Sequence, residues 1–545
     1  MDKKAIITFL LALAAIAGQA QKKASAQKEA QQTVVGQISI TAETPLNAQR
    51  KVTAHMTMDD YDGPIGIKLR GNSSLGNNQK KYTFELRDED GHEVEAELMG
   101  MPAHSDWVLL GPYYDVSTVR DPLAFQLWRD MGHWGPRSRM VEVTLNGDYR
   151  GIYILCEAIK RGEDRVNIDK MKKTDTSGRE LTGGYLLRID TANDDDANFP
   201  SMVPGVGEGN FMTQVTWSCI YPKKKKSLQP EQIAYIQNYI DTVEQVIQSD
   251  NFADPKTGYA RYIDVPSFVD YFIHTELSLN ADGYKRSAYF YKEKLHEDGT
   301  GGKLVAGPVW DYNLAYGNCN FANANNLEAW CFEGASNNPT PAMWQRLLQD
   351  PAFRKAVKTR YQQLRKNVLS TKAINAFIDN QAKLLSKAKD HHFETYPELL
   401  VSEERKQQLA QQPQMGGFPF GGGFPPMGEM PQGGFPQMGA FPQMGEMPSM
   451  GEGFPQMGQG FPQMGDFQFD MTGMFAAYRV SSYEEEIQIL KQGLADRLAF
   501  LDRNIARFDT DWQPRIQPLV EKKMQFPFGG FPGGGFPSGG FPGGF

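Results

Sequence analysis

The stretch GPVWDYNLAYGN runs from Gly307 to Asn318 and sets Asp311 two residues before Asn313. Side chains two apart share one face of an extended strand, so this pair can offer two oxygens to one ion. Hard cations such as Mg²⁺ want oxygen ligands. Mg²⁺ commonly takes only one or two from protein when phosphates supply the rest. Asp311 and Asn313 are therefore candidate metal ligands for phosphate chemistry. The competing role for Asp311 is to cap a turn.

Other groups suited to phosphate lie upstream. Lys80 and Lys81 open a strand just after LRGNSSLGNN. Gly71 and Gly76 allow a flexible turn there, whose amides can approach phosphate. Arg70 is a planar, multidentate donor, and Lys81 is a point charge. Glu157 closes the apolar strand of YILCEAIKR. A carboxylate there needs a partner, because unpaired burial is costly. Either it serves the site, as ion partner of a lysine or beside a nucleotide base, or it pairs with Lys160 or Arg161. Asn280 and Asp282 follow an apolar helix in LSLNADGYKRSAYFY. Asp282-Gly283 is a turn signal. The chemical alternative is a loop in which Asp282 orients or deprotonates a hydroxyl nucleophile.

The elements that must position these groups fall into two parts. Residues 33–100 alternate apolar and polar, as in IGIKLRGNSS and KKYTFELRDEDG, and predict strands. TVRDPLAFQLWRDMG predicts a helix over 118–132, ended by Gly132. Asn146-Gly147-Asp148 sits between two apolar runs and predicts a hairpin. GGYLLRID predicts another strand. PEQIAYIQNYIDTVEQVIQ and VPSFVDYFIHTELSLNAD predict helices. SAYFYKE and GKLVAGPVWDYN predict two strands around a Gly-rich turn. Helices resume across 341–412, and a last amphipathic helix covers 482–507. A β-rich part followed by a mainly helical part predicts an α+β fold with two lobes.

The chain has 545 residues, 40% of them hydrophobic, which is enough for a sizeable core. A formal net charge of −8 gives no global field for nucleic acid. The basic run Lys223–Lys226 reads as a solvated loop. Lys3 and Lys4 precede an apolar stretch over 6–17, then small residues, which predicts a signal peptide over 1–26 and export. No stretch reads as a transmembrane helix. Export permits disulfides, and Cys319 and Cys331 are the favoured local pair. Residues 413–470 repeat Phe-Pro-Gln-Met-Gly, and 524–545 end in Phe-Pro-Gly repeats. Pro removes donors and Gly raises the cost of ordering, so both predict low-complexity segments without packed elements. The first interrupts the helical part between 33–412 and 471–512. Their Phe and Met side chains could bind a surface partner.

A loop Asp, then strands, then a metal-binding Asp is the chain order of protein-kinase catalysis. Five segments together resemble the CotH kinase family, the relatives of spore-coat protein H. They are IKLRGNSS…QKKYTFELRDEDG, WVLLGPYYDVSTVRDPLAFQLWRDMG, LNGDYRGIYILCEAI, LNADGYKRSAYFY and GPVWDYNLAYGN, in family order over about 35–330. The resemblance implies an atypical, protein-kinase-like fold and phosphorylation of Ser or Thr in proteins, dependent on ATP and on Mg²⁺ or Mn²⁺. It implies metal binding by Asp311, with Asn313 beside it, and a catalytic role for Asp282. It also implies nucleotide binding by Lys81, with Arg70 and Glu157. Two positions depart from the family pattern. Many members carry Asp-x-Asp where this chain has Asp311-Tyr312-Asn313, and Lys285-Arg286-Ser287 follows Asp282 in place of an amide or His. A non-catalytic surface or assembly scaffold, binding through the Phe-Pro-Gly segments, is the alternative function.

Overall fold

Strands β1 (Gly36–Thr41) and β2 (Val52–Met58) bury every second residue, so one face meets a core and the other meets water. Strands β7 (Asp106–Leu110) and β9 (Asp148–Glu157) are instead buried on both faces over most of their length. The difference follows from where the strands lie. With β3 (Tyr61–Arg70), β4 (Lys81–Leu86) and β8 (Ser138–Leu145), they close a seven-stranded barrel in the order β1-β2-β3-β4-β7-β9-β8. Trp107, Leu109, Tyr153 and Leu155 point into the barrel core with Ile65, Ile67 and Phe84. Val108, Leu110, Ile152, Ile154 and Cys156 point outward into a second, larger core. A hairpin of β5 (Ala96–Leu98) and β6 (Met101–His104) sits beside the barrel strands in sequence.

The computed structural model describes residues 32–203, 205–206, 215–222, 227–320, 324–334, 340–404, 406 and 480–515. The predicted signal peptide, the Lys223–Lys226 run, the 413–470 segment and the 524–545 tail lie outside the described residues.

The second core is built by helices and a further sheet. Helix α1 (Arg120–Asp130) packs its Leu123, Phe125, Leu127 and Trp128 inward. Strands β10 (Tyr185–Ile189), β11 (Ala197–Pro200), β12 (Gly205–Val206), β13 (Thr216–Tyr221), β14 (Ala288–Lys292) and β15 (Leu304–Ala306) follow in chain order. All but β12 form one five-stranded sheet, in the order β11-β13-β10-β14-β15. Helix α2 (Pro230–Gln248) starts at a Gln229–Gln232 capping box. Helix α3 (Val265–Ser278) is buried at every position from Ser267 to Ser278, as a central helix must be. It is capped by Asp264 and stopped by Leu279 in the left-handed conformation, φ 48°. Helices α4 (Ala342–Leu347), α5 (Pro351–Arg365), α6 (Thr371–Leu385), α7 (Ala388–Thr395) and α8 (Tyr483–Ile505) follow among the described residues. The fold is α+β, with a β-rich N-terminal region and helices later.

Three expectations are corrected. The strand predicted over GKLVAGPVWDYN spans only Leu304–Ala306. Asp311 has φ +66°, so Asp311 and Asn313 do not share an extended face. The Cys319–Cys331 disulfide is absent, since both residues are thiols. Cys331 Sγ lies 3.9 Å from the Thr275 carbonyl instead.

Two buried histidines make the fold acid-sensitive. His392 of α7 accepts a hydrogen bond from the Ile152 amide through Nδ1 at 3.1 Å, which ties α7 to β9. Burial pushes it down to about 4, and His274 of α3 likewise to about 4. The folded state therefore holds them neutral, while the unfolded chain binds protons from about pH 6.5 downward. Their contribution is complete above that value and is lost as the pH falls towards 4. Tm should drop by roughly 5 °C or more between pH 6.5 and 4.5. His392→Gln should flatten that slope. An unchanged slope in the variant would show that His392 is already protonated in the fold.

Candidate active site

Lys81 is the first residue of β4 and pairs with Arg70, the last residue of β3. The loop between them turns at Gly71, φ +111°, where a Cβ would strike Ser74 Oγ. Gln79 anchors the loop, donating to the Ile152 carbonyl at 2.7 Å. Lys80 folds back onto the Leu75 carbonyl at 2.8 Å. Alternation along the strand then sends Lys81 the other way, into a buried position. Its Nζ lies 3.5 Å from Asp311 Oδ1.

Asp311 stands on a loop that leaves β15 through Gly307, where a Cβ would meet the Trp128 ring at 2.5 Å. Trp310 stacks on Phe125 of α1, with ring centroids 5.6 Å apart, and the Arg70 guanidinium lies 4.9 Å from its centroid. The aromatic ring thus joins Arg70 of the barrel to α1. Asp311 keeps 42% of its side chain exposed. A non-glycine residue at φ +66° is uncommon, and such positions cluster at functional sites.

The neighbouring backbone is held from two sides. Asn280 Nδ2 donates to the Asp311 carbonyl at 3.3 Å, and Asn280 Oδ1 accepts from the Asp282 amide at 3.2 Å. One amide side chain therefore couples the Asp282 loop to the Asp311 loop. On the other side, the Tyr312 amide donates to Asp121 Oδ1 at 2.5 Å. Arg120 donates through Nε to the Ala315 carbonyl at 3.0 Å.

Asp121, in the first turn of α1, is a site residue that sequence reasoning missed. It is buried, and burial pushes its carboxyl up to about 7, with the Asp311 charge adding and Lys81 opposing. Asp190, just past β10, is also pushed up, by burial first and then by Asp311 against the pull of Arg188. Burial raises Asp282 as well; Lys285 and Arg286 oppose this, and Asp311 and Asp190 add to it. Asp282 Oδ1 is enclosed and has no hydrogen-bond partner among the described residues. Asp311 thus stands where several carboxylates repel one another and Lys81 supplies the nearest positive charge.

The other predicted residues divide. Asn313 is buried two residues on, and its carbonyl accepts from Asn318 Nδ2 at 2.9 Å. Glu157 is fully buried, yet it is not brought to Lys81. It accepts from the Arg137 amide at 2.8 Å and from Arg137 Nη1 at 2.6 Å, with Arg165 Nε at 3.5 Å. Neither Lys160 nor Arg161 is its partner: Lys160 instead pairs with Asp106 at 3.0 Å.

Carboxylate oxygens are what hard divalent ions take, and a cation beside Asp311 would offset the charge that adds to burial in raising Asp121, Asp190 and Asp282. A partly exposed carboxylate, a lysine in reach of it and an enclosed, unpartnered carboxylate nearby are a set that could handle phosphate groups.

The chain is similar to the inner spore coat protein H of Bacillus subtilis (strain 168), with 24% identity over 205 residues. That match covers 38% of this chain and 48% of the relative, about half the relative's length. A family model described as CotH kinase protein matches residues 67–414, a span that includes Arg70, Lys81, Asp121, Glu157, Asp282, Asp311 and Asn313. The chain belongs to the CotH kinase protein family.

Proposed function

We propose that this protein is an exported, atypical protein kinase that transfers the γ-phosphoryl group of ATP to Ser or Thr of secreted or surface proteins. The observation that carries the reading is the Lys81–Asp311 pair, joined across 230 residues of chain at 3.5 Å. A barrel lysine and a loop aspartate meet there with Arg70 beside them, over Trp310. The spore-coat name of the relative supports a surface location. Among the described residues no helix is long and apolar enough to cross a membrane. In this reading the β-rich region and the helices act as the two lobes of a kinase-like body, with the nucleotide between them.

Asp311, with Asn313 and a neighbouring carboxylate, would hold Mg²⁺ or Mn²⁺. A bound cation would supply neutralisation of phosphate charge. Lys81 releases Asp311 and steadies phosphate oxygens, and Arg70 offers further donors. Asp282 aligns the acceptor hydroxyl, and the burial that raises its carboxyl makes it a stronger base. Catalysis is then mostly positioning and charge neutralisation.

Purified protein with ATP labelled at the γ-phosphate, plus Mg²⁺ or Mn²⁺, should label itself or an added Ser-rich peptide. No incorporation with either metal, in protein that does bind nucleotide, would leave the non-catalytic scaffold in front.

A further inference from the structure

The turn after Asp282 carries a lysine that holds nothing. Lys285 Nζ is enclosed and has no hydrogen-bond partner among the described residues. Lys285 and Asp282 attract each other, but no hydrogen bond joins them. The turn itself is fixed. The Lys285 and Arg286 amides both donate to the Asp282 carbonyl at 2.9 Å. Tyr271 donates to the Gly283 carbonyl at 2.6 Å, and Tyr284 donates to Glu276 Oε1 at 2.9 Å. Lys285 lines a cavity of about 40 Å³ with Asn280, Ala281, Tyr284, Trp330 and Cys331. A water needs roughly 10–15 Å³ of such space, so the cavity suits a group the size of phosphate and not a nucleotide.

A buried ammonium without a partner is costly, and such groups are explained by a ligand that completes them. We propose that Lys285 holds a phosphoryl anion in this cavity, as the subsite for the phosphate monoester formed on the acceptor. Its place in the reaction rests on the function proposed above; the anion site does not. Asn280, in the same wall, already contacts both the Asp282 and Asp311 loops, so the cavity adjoins the point of transfer. Burial pushes Lys285 down to about 7, and an incoming anion would restore its charge. Glu333 also lines the cavity; burial raises its carboxyl, and wherever it is ionised its charge opposes an anion there.

The test uses the full chain without nucleotide or metal, with inorganic phosphate and O-phosphoserine as probes. At ten times Kd, each should raise Tm of the parent by about 1.5–2 °C beyond any general salt effect. Asp311→Asn should keep that rise, because the metal ligand is not used. Lys285→Arg should retain most of it, and Lys285→Met should lose it. Where Lys285→Met fails to fold, Lys285→Gln must show the same loss. A rise that survives the loss of the Lys285 charge overturns the proposal, as does a parent that responds to neither probe. Melts with Mg-nucleotide report separately on the kinase reading. A parent blind to nucleotide that binds phosphate through Lys285 would sink that reading and leave the anion site standing.

Discussion

Replacing Asp311 with asparagine should remove nearly all of the Tm rise that Mg-nucleotide gives the parent, and phosphoryl transfer with it. Ligand linkage makes the parent's gain about 2.7 kcal/mol at a hundred times Kd, so the loss is easy to read. The substitution is clean in three respects. Asparagine accepts the left-handed backbone that Asp311 adopts at φ +66°. The ion pair with Lys81 is long, at 3.5 Å, Asp311 is 42% exposed, and Asp121 still faces the buried Lys81 ammonium, so losing the pair costs the ligand-free fold little. Removing the charge also relaxes Asp121, whose carboxyl it helps to raise. The ligand-free variant should therefore melt at or slightly above the parent, while the nucleotide effect disappears. Asp282→Asn should show the opposite split. It should keep most of the nucleotide rise and lose transfer by about 10²-fold or more, the usual worth of a general base. If both aspartates were turn caps, both variants would lose baseline stability and nucleotide would shift neither parent nor variant. Six melts, the three proteins each with and without Mg-nucleotide, and one labelling assay separate these outcomes.

Local signals in the sequence predicted the elements well. Asn146-Gly147 sits at the tip of the β8–β9 hairpin with both residues at positive φ, as its composition demands. The helical period of 230–248 and 482–507 corresponds to α2 and α8. Lys81 and Asp311 were each singled out from local pattern, and the fold brings them together. What was hidden is what depends on partners far along the chain. Barrel closure rests on β1 pairing in parallel with β8, about which neither strand's alternation says anything. Asp121 reads locally as an acid in the first turn of a helix, a common place for one. Only its bond to the Tyr312 amide, 191 residues on, puts it in the site. Glu157 was rightly expected to need a partner. The nearby Lys160 and Arg161 were the wrong ones because the hairpin delivers Arg137 across the sheet. The strand drawn through Asp311 failed because period-two logic assumes extended backbone, and Asp311 leaves it.

Arg120→Met should be the most damaging single change to the fold, at about 3–5 kcal/mol, the cost of orphaning buried carboxylates. Arg120 is completely buried. It donates to Asp115 Oδ1 at 2.5 Å, to Glu486 Oε1 at 2.6 Å and to the Ala315 carbonyl at 3.0 Å. Burial opposes its charge, but the two carboxylates outweigh burial and hold it protonated. Methionine fills similar volume and answers neither acid. Glu486 already has its carboxyl raised by burial, so it can take up a proton in the variant. The damage should therefore grow as the pH rises above the range where Glu486 holds its proton. Glu486→Gln in the Arg120→Met background should recover part of the loss, and the cycle gives the coupling directly. The consequence reaches the site. Glu486 belongs to α8, and Ala315 follows Asp311 on the same loop, so one guanidinium ties that loop to a helix 366 residues downstream of Arg120. At low pH, where Arg120→Met still folds, its response to Mg-nucleotide should be weaker than the parent's. A full response there would show that the Asp311 loop keeps its place without Arg120, held by its other bonds, those to Asn280 and Asp121 among them.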